Sequence, residues 1–107
     1  MNATNHHAGL AAEDIVVRHY NLPVAARRWK GPGGEIDLIL RDGDAVIFVE
    51  VKAGRNAAHA LQPRQIARIR ASALAWLGDE PLGQRTDCRF DVALVTDGTV
   101  DIIPNVL

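Results

Sequence analysis

With a single cysteine, Cys88, among 107 residues, the chain cannot build an internal disulfide framework. No apolar run approaches the roughly 20 residues that a membrane helix requires. The opening stretch MNATNHHAGL has neither the basic start nor the apolar block of a signal peptide, so the expectation is a cytoplasmic protein with no membrane association. An excess of charge is also lacking: the net charge is −1 and the pI is near 6.4, which argues against tight, non-specific nucleic-acid binding. Internal repeats, low-complexity tracts and linkers are absent. The histidines, His6, His7, His19 and His59, lack the spacing of metal ligands, and His6-His7 read as part of a flexible tail over residues 1–7. Cys88 sits beside Arg89 without a convincing base in sequence, so it reads as a buried structural cysteine rather than a nucleophile.

What remains is ordinary globular material, 48% apolar and 23% charged, of a length that suits one domain over residues 1–107. Its most informative stretch is Gly34 to Lys52, GEIDLILRDGDAVIFVEVK. Two strand-like runs, Glu35–Arg41 and Ala45–Lys52, flank Asp42-Gly43, a strong short-range signal for a β-hairpin. With Asp42-Gly43 as a two-residue turn, Asp37 faces Phe48 and Glu35 faces Glu50. Alternation places Ile36, Leu38, Leu40, Ile47, Val49 and Val51 on one aliphatic face. The other face carries Glu35, Asp37, Glu50 and Lys52 beside Ile39, Val46 and Phe48. In this register Asp37 and Glu50 are diagonal neighbours, roughly 7–8 Å apart or somewhat less at Cβ. Uncompensated acids on a covered face repel one another and resist burial, whereas a hard divalent cation such as Mg²⁺ accepts carboxylate oxygens and keeps several waters. Lys52, two residues beyond Glu50, would orient a water or meet a negative transition state. The bland reading is a Glu/Lys pair on a solvated hairpin face.

Around the hairpin the spacing predicts a helix from about Ala8 to Tyr20, with Leu10, Ala12, Val16, Val17 and Tyr20 on one arc. Glu13 projects into that arc, so it either reaches the ion at Asp37 and Glu50 or lies at the edge and pairs with an arginine. A short strand, Val24–Trp29, follows. Lys30-Gly31-Pro32-Gly33-Gly34 is a turn and not a phosphate-binding loop, since it leads into a strand and its lysine precedes the glycines. After a loop over Ala53–Ala60 containing Arg55 and His59, a second helix is expected from about Leu61 to Leu77. Gln62, Ile66, Ile69, Ala73, Trp76 and Leu77 share its packed face, Gln65 lies at the margin, and Arg64 and Arg68 point away. Cys88–Val95 and Val100–Ile103 complete the chain as strands joined at Asp97-Gly98. Asp91 either belongs to the site or pairs with a nearby arginine, and the pair is the expectation. The order αβββαββ implies an α/β fold with a mixed central sheet, a helix on each face and the fourth strand parallel to its neighbour.

An acid on the second strand and Glu-x-Lys on the third, in this order of elements, resemble the PD-(D/E)xK restriction-endonuclease-like superfamily. More closely, the chain resembles the YraN family of bacterial proteins, related to archaeal Holliday-junction resolvases. The resemblance is carried by Gly9 through Glu13, Gly34-Glu35-Ile36-Asp37-Leu38-Ile39, Phe48-Val49-Glu50-Val51-Lys52, Trp76-Leu77, and Asp87-Cys88-Arg89-Phe90-Asp91-Val92. It implies an endonuclease core dependent on Mg²⁺ or Mn²⁺, in which Asp37 and Glu50 hold metal, Lys52 assists the attacking water, and Glu13 is an accessory acid and metal ligand. It further implies that Gln65 serves near the site, that the partner is DNA, branched or junction DNA included, and that the protein is a homodimer. The chain departs from the family pattern at Gly54 (often Arg), at Gln65 (often Lys), and at Arg27-Arg28-Trp29, where an Asn-x-Arg stretch is common. Together with the near-neutral charge, these departures favour as the alternative a non-catalytic nuclease-fold module that binds nucleic acid or a protein partner.

Overall fold

The computed structural model describes residues 2–54 and 62–106, with side chains from residue 11 onward. The expected order is the one found: α1 (Asn2–Tyr20), β1 (Val24–Gly31), β2 (Gly34–Asp42), β3 (Ala45–Ala53), α2 (Pro63–Leu77), a 3₁₀ turn at Gly83–Arg85, β4 (Cys88–Thr96) and β5 (Thr99–Ile103). The five strands form one sheet in the order β1-β2-β3-β4-β5. All neighbours are antiparallel except β3 and β4, which run parallel because α2 carries the chain back between them. No helix among the described residues is long and apolar enough to cross a membrane. Arg55, His59 and Leu61 lie outside the described residues, as do the side chains of His6, His7, Gly9 and Leu10.

α1 begins at Asn2, so it extends through the stretch expected to be a tail. It ends at Asn21, whose φ of 53° gives the left-handed turn that asparagine tolerates, with its N–H bonded to the Val17 carbonyl. α2 starts at Pro63, where a missing N–H leaves nothing unsatisfied, and stops at Gly78. The two helices cover opposite faces of the sheet. Under α1, Ala12 and Val16 pack on Leu38, Leu40, Ile47, Val49, Ala93 and Val95. Under α2, Ile69, Ala73 and Leu77 pack on Ile36, Ile39, Val46 and Phe48. Phe48 is fully buried, stacked on Phe90 with centroids 4.8 Å apart and edge-on to Trp76 at 5.9 Å.

Two expectations for the hairpin change. The turn is Gly43-Asp44, since Asp42 pairs with Ala45, and every expected pairing therefore slides by two residues. Gly43, with φ of 63°, occupies the first turn position, where a positive φ favours glycine. A slide of two leaves each side chain on its expected face. Ile36 is the exception, because it packs with the core under α2 rather than with Leu38.

The turn between β1 and β2 is pinned to α2. Ser72 is fully buried, and its hydroxyl accepts from the Gly33 N–H at 2.9 Å and donates to the Gly34 carbonyl at 2.8 Å. A Cβ on Gly33 would collide with the backbone carbonyl of Arg68, so turn and helix meet backbone to backbone. Ser72→Ala strands both turn groups, and urea unfolding is expected to show a loss of about 1–3 kcal/mol. A variant within about 0.5 kcal/mol of the parent, the range of neutral surface substitutions, would show that the clasp is not needed.

Candidate active site

Asp37 stands where β2 loses regular pairing on both sides. Toward β3, the paired residues stop at Leu38 and Val49; toward β1, they pass from Arg27 and Leu38 to Trp29 and Ile36, omitting Arg28 and Asp37. Arg28 has a φ of 51°, an unusual conformation for a bulky residue within a strand. Side chains replace the missing ladder between β2 and β3. The Asp37 N–H donates to Glu50 Oε1 at 3.4 Å, and the Val51 N–H donates to Asp37 Oδ2 at 2.8 Å. The slide in register makes Asp37 and Glu50 cross-strand neighbours and not diagonal ones.

Glu50 is buried and Asp37 half-buried. Burial, followed by the charge of Asp37, pushes the Glu50 carboxyl up to about 8. Burial also raises Asp37, against the Val51 hydrogen bond that favours its charged form. The positive charge of Lys52 draws both carboxyls down, by less than burial raises them. Asp37 Oδ1 and Glu50 Oε2 remain outside the two backbone bonds. The donor set suits Mg²⁺ or Mn²⁺: two hard oxygen donors on neighbouring strands, both hard to keep charged without a cation. Among the described residues, no three acid, histidine or cysteine side chains cluster as a metal site, so a cation would be held by two carboxylates and completed by water.

Glu13 is engaged elsewhere. Its buried carboxylate lies 3.1 Å from Arg28 Nη2 and also accepts from Arg28 Nε at 3.4 Å. Of the two arrangements open in the sequence, the structure displays pairing with an arginine, and the left-handed turn at Arg28 accompanies it. Glu13 still bears on the acids through its field, since its charge raises Asp37. Gln65 joins Glu50 in lining an opening of about 210 Å³ between the β1–β2 turn and α2. Arg68 lines the same opening, contrary to the expectation that it points away. At about 100° per residue it lies only about 40° around the helix from Ser72, which docks on the turn.

Asp91 pairs with Arg89 Nε at 3.2 Å, as expected. It also accepts from the Tyr20 hydroxyl at 2.7 Å and the Asn105 N–H at 3.0 Å, and so ties α1 and the C-terminal segment to β4. Cys88 is exposed, not buried, because it opens β4 at the end of the sheet. Partial burial and the neighbouring Asp87 raise its thiol pKa, which does not favour a nucleophilic thiolate.

The raised Glu50 carboxyl makes the fold sensitive to pH. The folded state holds that proton to about pH 8, whereas the unfolded chain releases it in the ordinary carboxyl range. The folded state therefore binds more protons across that window, and stability falls as pH rises through it. In chelator, Glu50→Gln should lack this component and outlast the parent in thermal melts near pH 8. The gain should be on the order of a few kcal/mol, at about 1.4 kcal/mol for each tenfold difference in proton affinity, and should shrink near about pH 5. An equal response of both proteins to pH would contradict the burial of an uncompensated Glu50.

The comparisons with known proteins agree along the chain. The family model of UPF0102, described as an uncharacterised protein family, matches residues 11–95. A UPF0102 protein of Cereibacter sphaeroides strain ATCC 17025 is 52% identical over 108 residues, covering 94% of this chain and 92% of that protein. Relatives in Ruegeria sp. strain TM1040 and Dinoroseobacter shibae are 51% and 39% identical, covering 94% and 92% of this chain and 86% and 79% of those proteins. The match reaches from α1 through β4, taking in Asp37, Glu50 and Lys52, and the chain belongs to the uncharacterised bacterial family UPF0102, the YraN family.

Proposed function

We propose that the chain is a metal-dependent endonuclease that hydrolyses DNA phosphodiester bonds, of the Holliday-junction-resolvase-like kind. The observation that carries this reading is the pair Asp37 and Glu50, cross-linked through each other's strand where the β2 ladder breaks, with Lys52 following on the same strand. Structural acids are normally solvated or paired with a cation. Burial raises both carboxyls, Glu50 to about 8, a poor arrangement for stability and a suitable one for receiving Mg²⁺ or Mn²⁺. A divalent cation bound there would supply Lewis-acid activation of a water and neutralise charge building on the phosphate. Asp37 and Glu50 fix the direction from which oxygen ligands approach, because each is anchored to the opposite strand. Lys52 orients the attacking water and faces the negative transition state. Glu13 acts at one remove, as an accessory acid whose grip on Arg28 sets the electrostatics beside Asp37. Cutting both strands of a junction would take two copies, related by a two-fold axis.

A second reading, a nuclease-fold module that binds nucleic acid or a protein partner without cleaving, draws support from the net charge of −1 and from the pairing of Glu13 with Arg28. Metal response and cleavage separate the two. At Mn²⁺ near 100 times the dissociation constant, the parent should gain about 2.7 kcal/mol of stability. Asp37→Asn should be at least as stable without metal, show little of that gain, and lose cleavage of branched DNA to background. A destabilised Asp37→Asn that keeps the full metal response would contradict the site assignment.

A further inference from the structure

The geometry points to Arg68 as a phosphate clamp, the residue that receives a phosphodiester of the nucleic-acid strand entering the opening beside Glu50. The inference deepens the nuclease reading and rests on it, in that Glu50 is taken as part of the reacting centre.

The opening between the β1–β2 turn and α2 has one acidic wall and one polar to basic wall. Glu35 and Glu50 line the first; Gln65 and Arg68, one helical turn apart, line the second, with Gly33 and Gly34 at the rim. Acids facing a cation across a gap commonly close into an ion pair. Among the described residues, Arg68 forms no ion pair, whereas Arg27, Arg28, Arg41 and Arg89 are each held by a carboxylate. Its side chain is exposed at the mouth, so its guanidinium is available to an incoming anion.

Its backbone, by contrast, is fixed. Gly33 rests directly on the Arg68 carbonyl, and Ser72, one turn onward, clasps Gly33 and Gly34. The same turn leads into β2 and Asp37. Arg68 and the acid pair are thus tied to one rigid junction of turn, helix and strand, while the guanidinium remains adjustable. Planar, always charged and able to bind two oxygens at once, arginine matches a phosphate better than lysine does. A phosphate approaching Glu50 without Arg68 would meet only the acidic wall of Glu35 and Glu50. Arg68 offsets that repulsion from the opposite wall of an opening of about 210 Å³.

The test measures binding of a fluorescein-labelled four-way DNA junction by anisotropy in Ca²⁺ across a salt series, for the parent, Arg68→Ala, Arg68→Lys and Arg64→Ala. Arg64 is exposed on the same helix but does not line the opening, so it controls for general loss of positive charge. Arg68→Ala is expected to weaken binding by about 5- to 100-fold and to lower the salt slope by about one. Arg68→Lys should recover part of the affinity, and Arg64→Ala should lose about 3-fold or less. The Mn²⁺-induced rise in melting temperature should persist in Arg68→Ala. Equal losses for Arg64→Ala and Arg68→Ala, unchanged binding by Arg68→Ala, or no junction binding by the parent would overturn the assignment. The melting measurement reads the acid pair separately: a parent without any Mn²⁺ response contradicts the metal site, whatever Arg68 does to DNA affinity.

Discussion

The reciprocal fastening of Asp37 and Glu50 is the constraint on which the site depends. In a regular antiparallel pair, backbone carbonyls accept from the amides that face the neighbouring strand. Here carboxylate oxygens accept from the amides of Asp37 and Val51, and two side chains that electrostatics would separate are drawn into one place. Neighbouring strands alone could not hold them, because acids on a free surface would swing apart. The packing under α2 supplies the rest: Phe48, two residues before Glu50, is locked between Phe90 and Trp76 and fixes the level of β3.

The surrounding charges are arranged so that the acids are softened without being neutralised. Arg28, on the neighbouring strand β1, is taken by Glu13 and adopts a left-handed backbone conformation, one that costs roughly 1–2 kcal/mol. Lys52 lowers both acids, but burial outweighs it. Arg68 stands across the opening, on a helix fixed by Ser72 and Gly33. The result is a site whose acids remain in need of a cation while its outer wall offers charge to an anion. That division of labour is what the proposed phosphodiester hydrolysis would call for, and it is difficult to explain as a means of stabilising the fold.

Much of this was legible in the chain because strand alternation has a period of two. The hairpin slides by two residues relative to the simplest turn, yet Asp37, Glu50 and Lys52 keep their face, since only an odd slip would exchange the faces. The exact neighbour of Asp37 depended on whether glycine leads or follows in the turn, a choice that composition does not decide. Ile36 departs from Leu38 because pairing with β3 has ended by that point. Arg68 was hidden by the habit of dividing a helix into apolar and polar faces: it belongs to a boundary, revealed by Ser72 and Gly33, whose contact joins residues far apart in sequence. The pairing of Glu13 with Arg28 was one of two arrangements open in the sequence, and the left-handed turn at Arg28 carries no signal there.

If burial holds the acid pair in a partly protonated form, binding of a cation must release protons. Calorimetric titration of Mn²⁺ into the chain at about pH 7, in buffers of different ionisation enthalpy, measures that release directly. The account predicts binding with a net release of roughly one proton per ion, falling away near about pH 9, where Glu50 is already charged. Binding with no buffer dependence, or no binding, would contradict it.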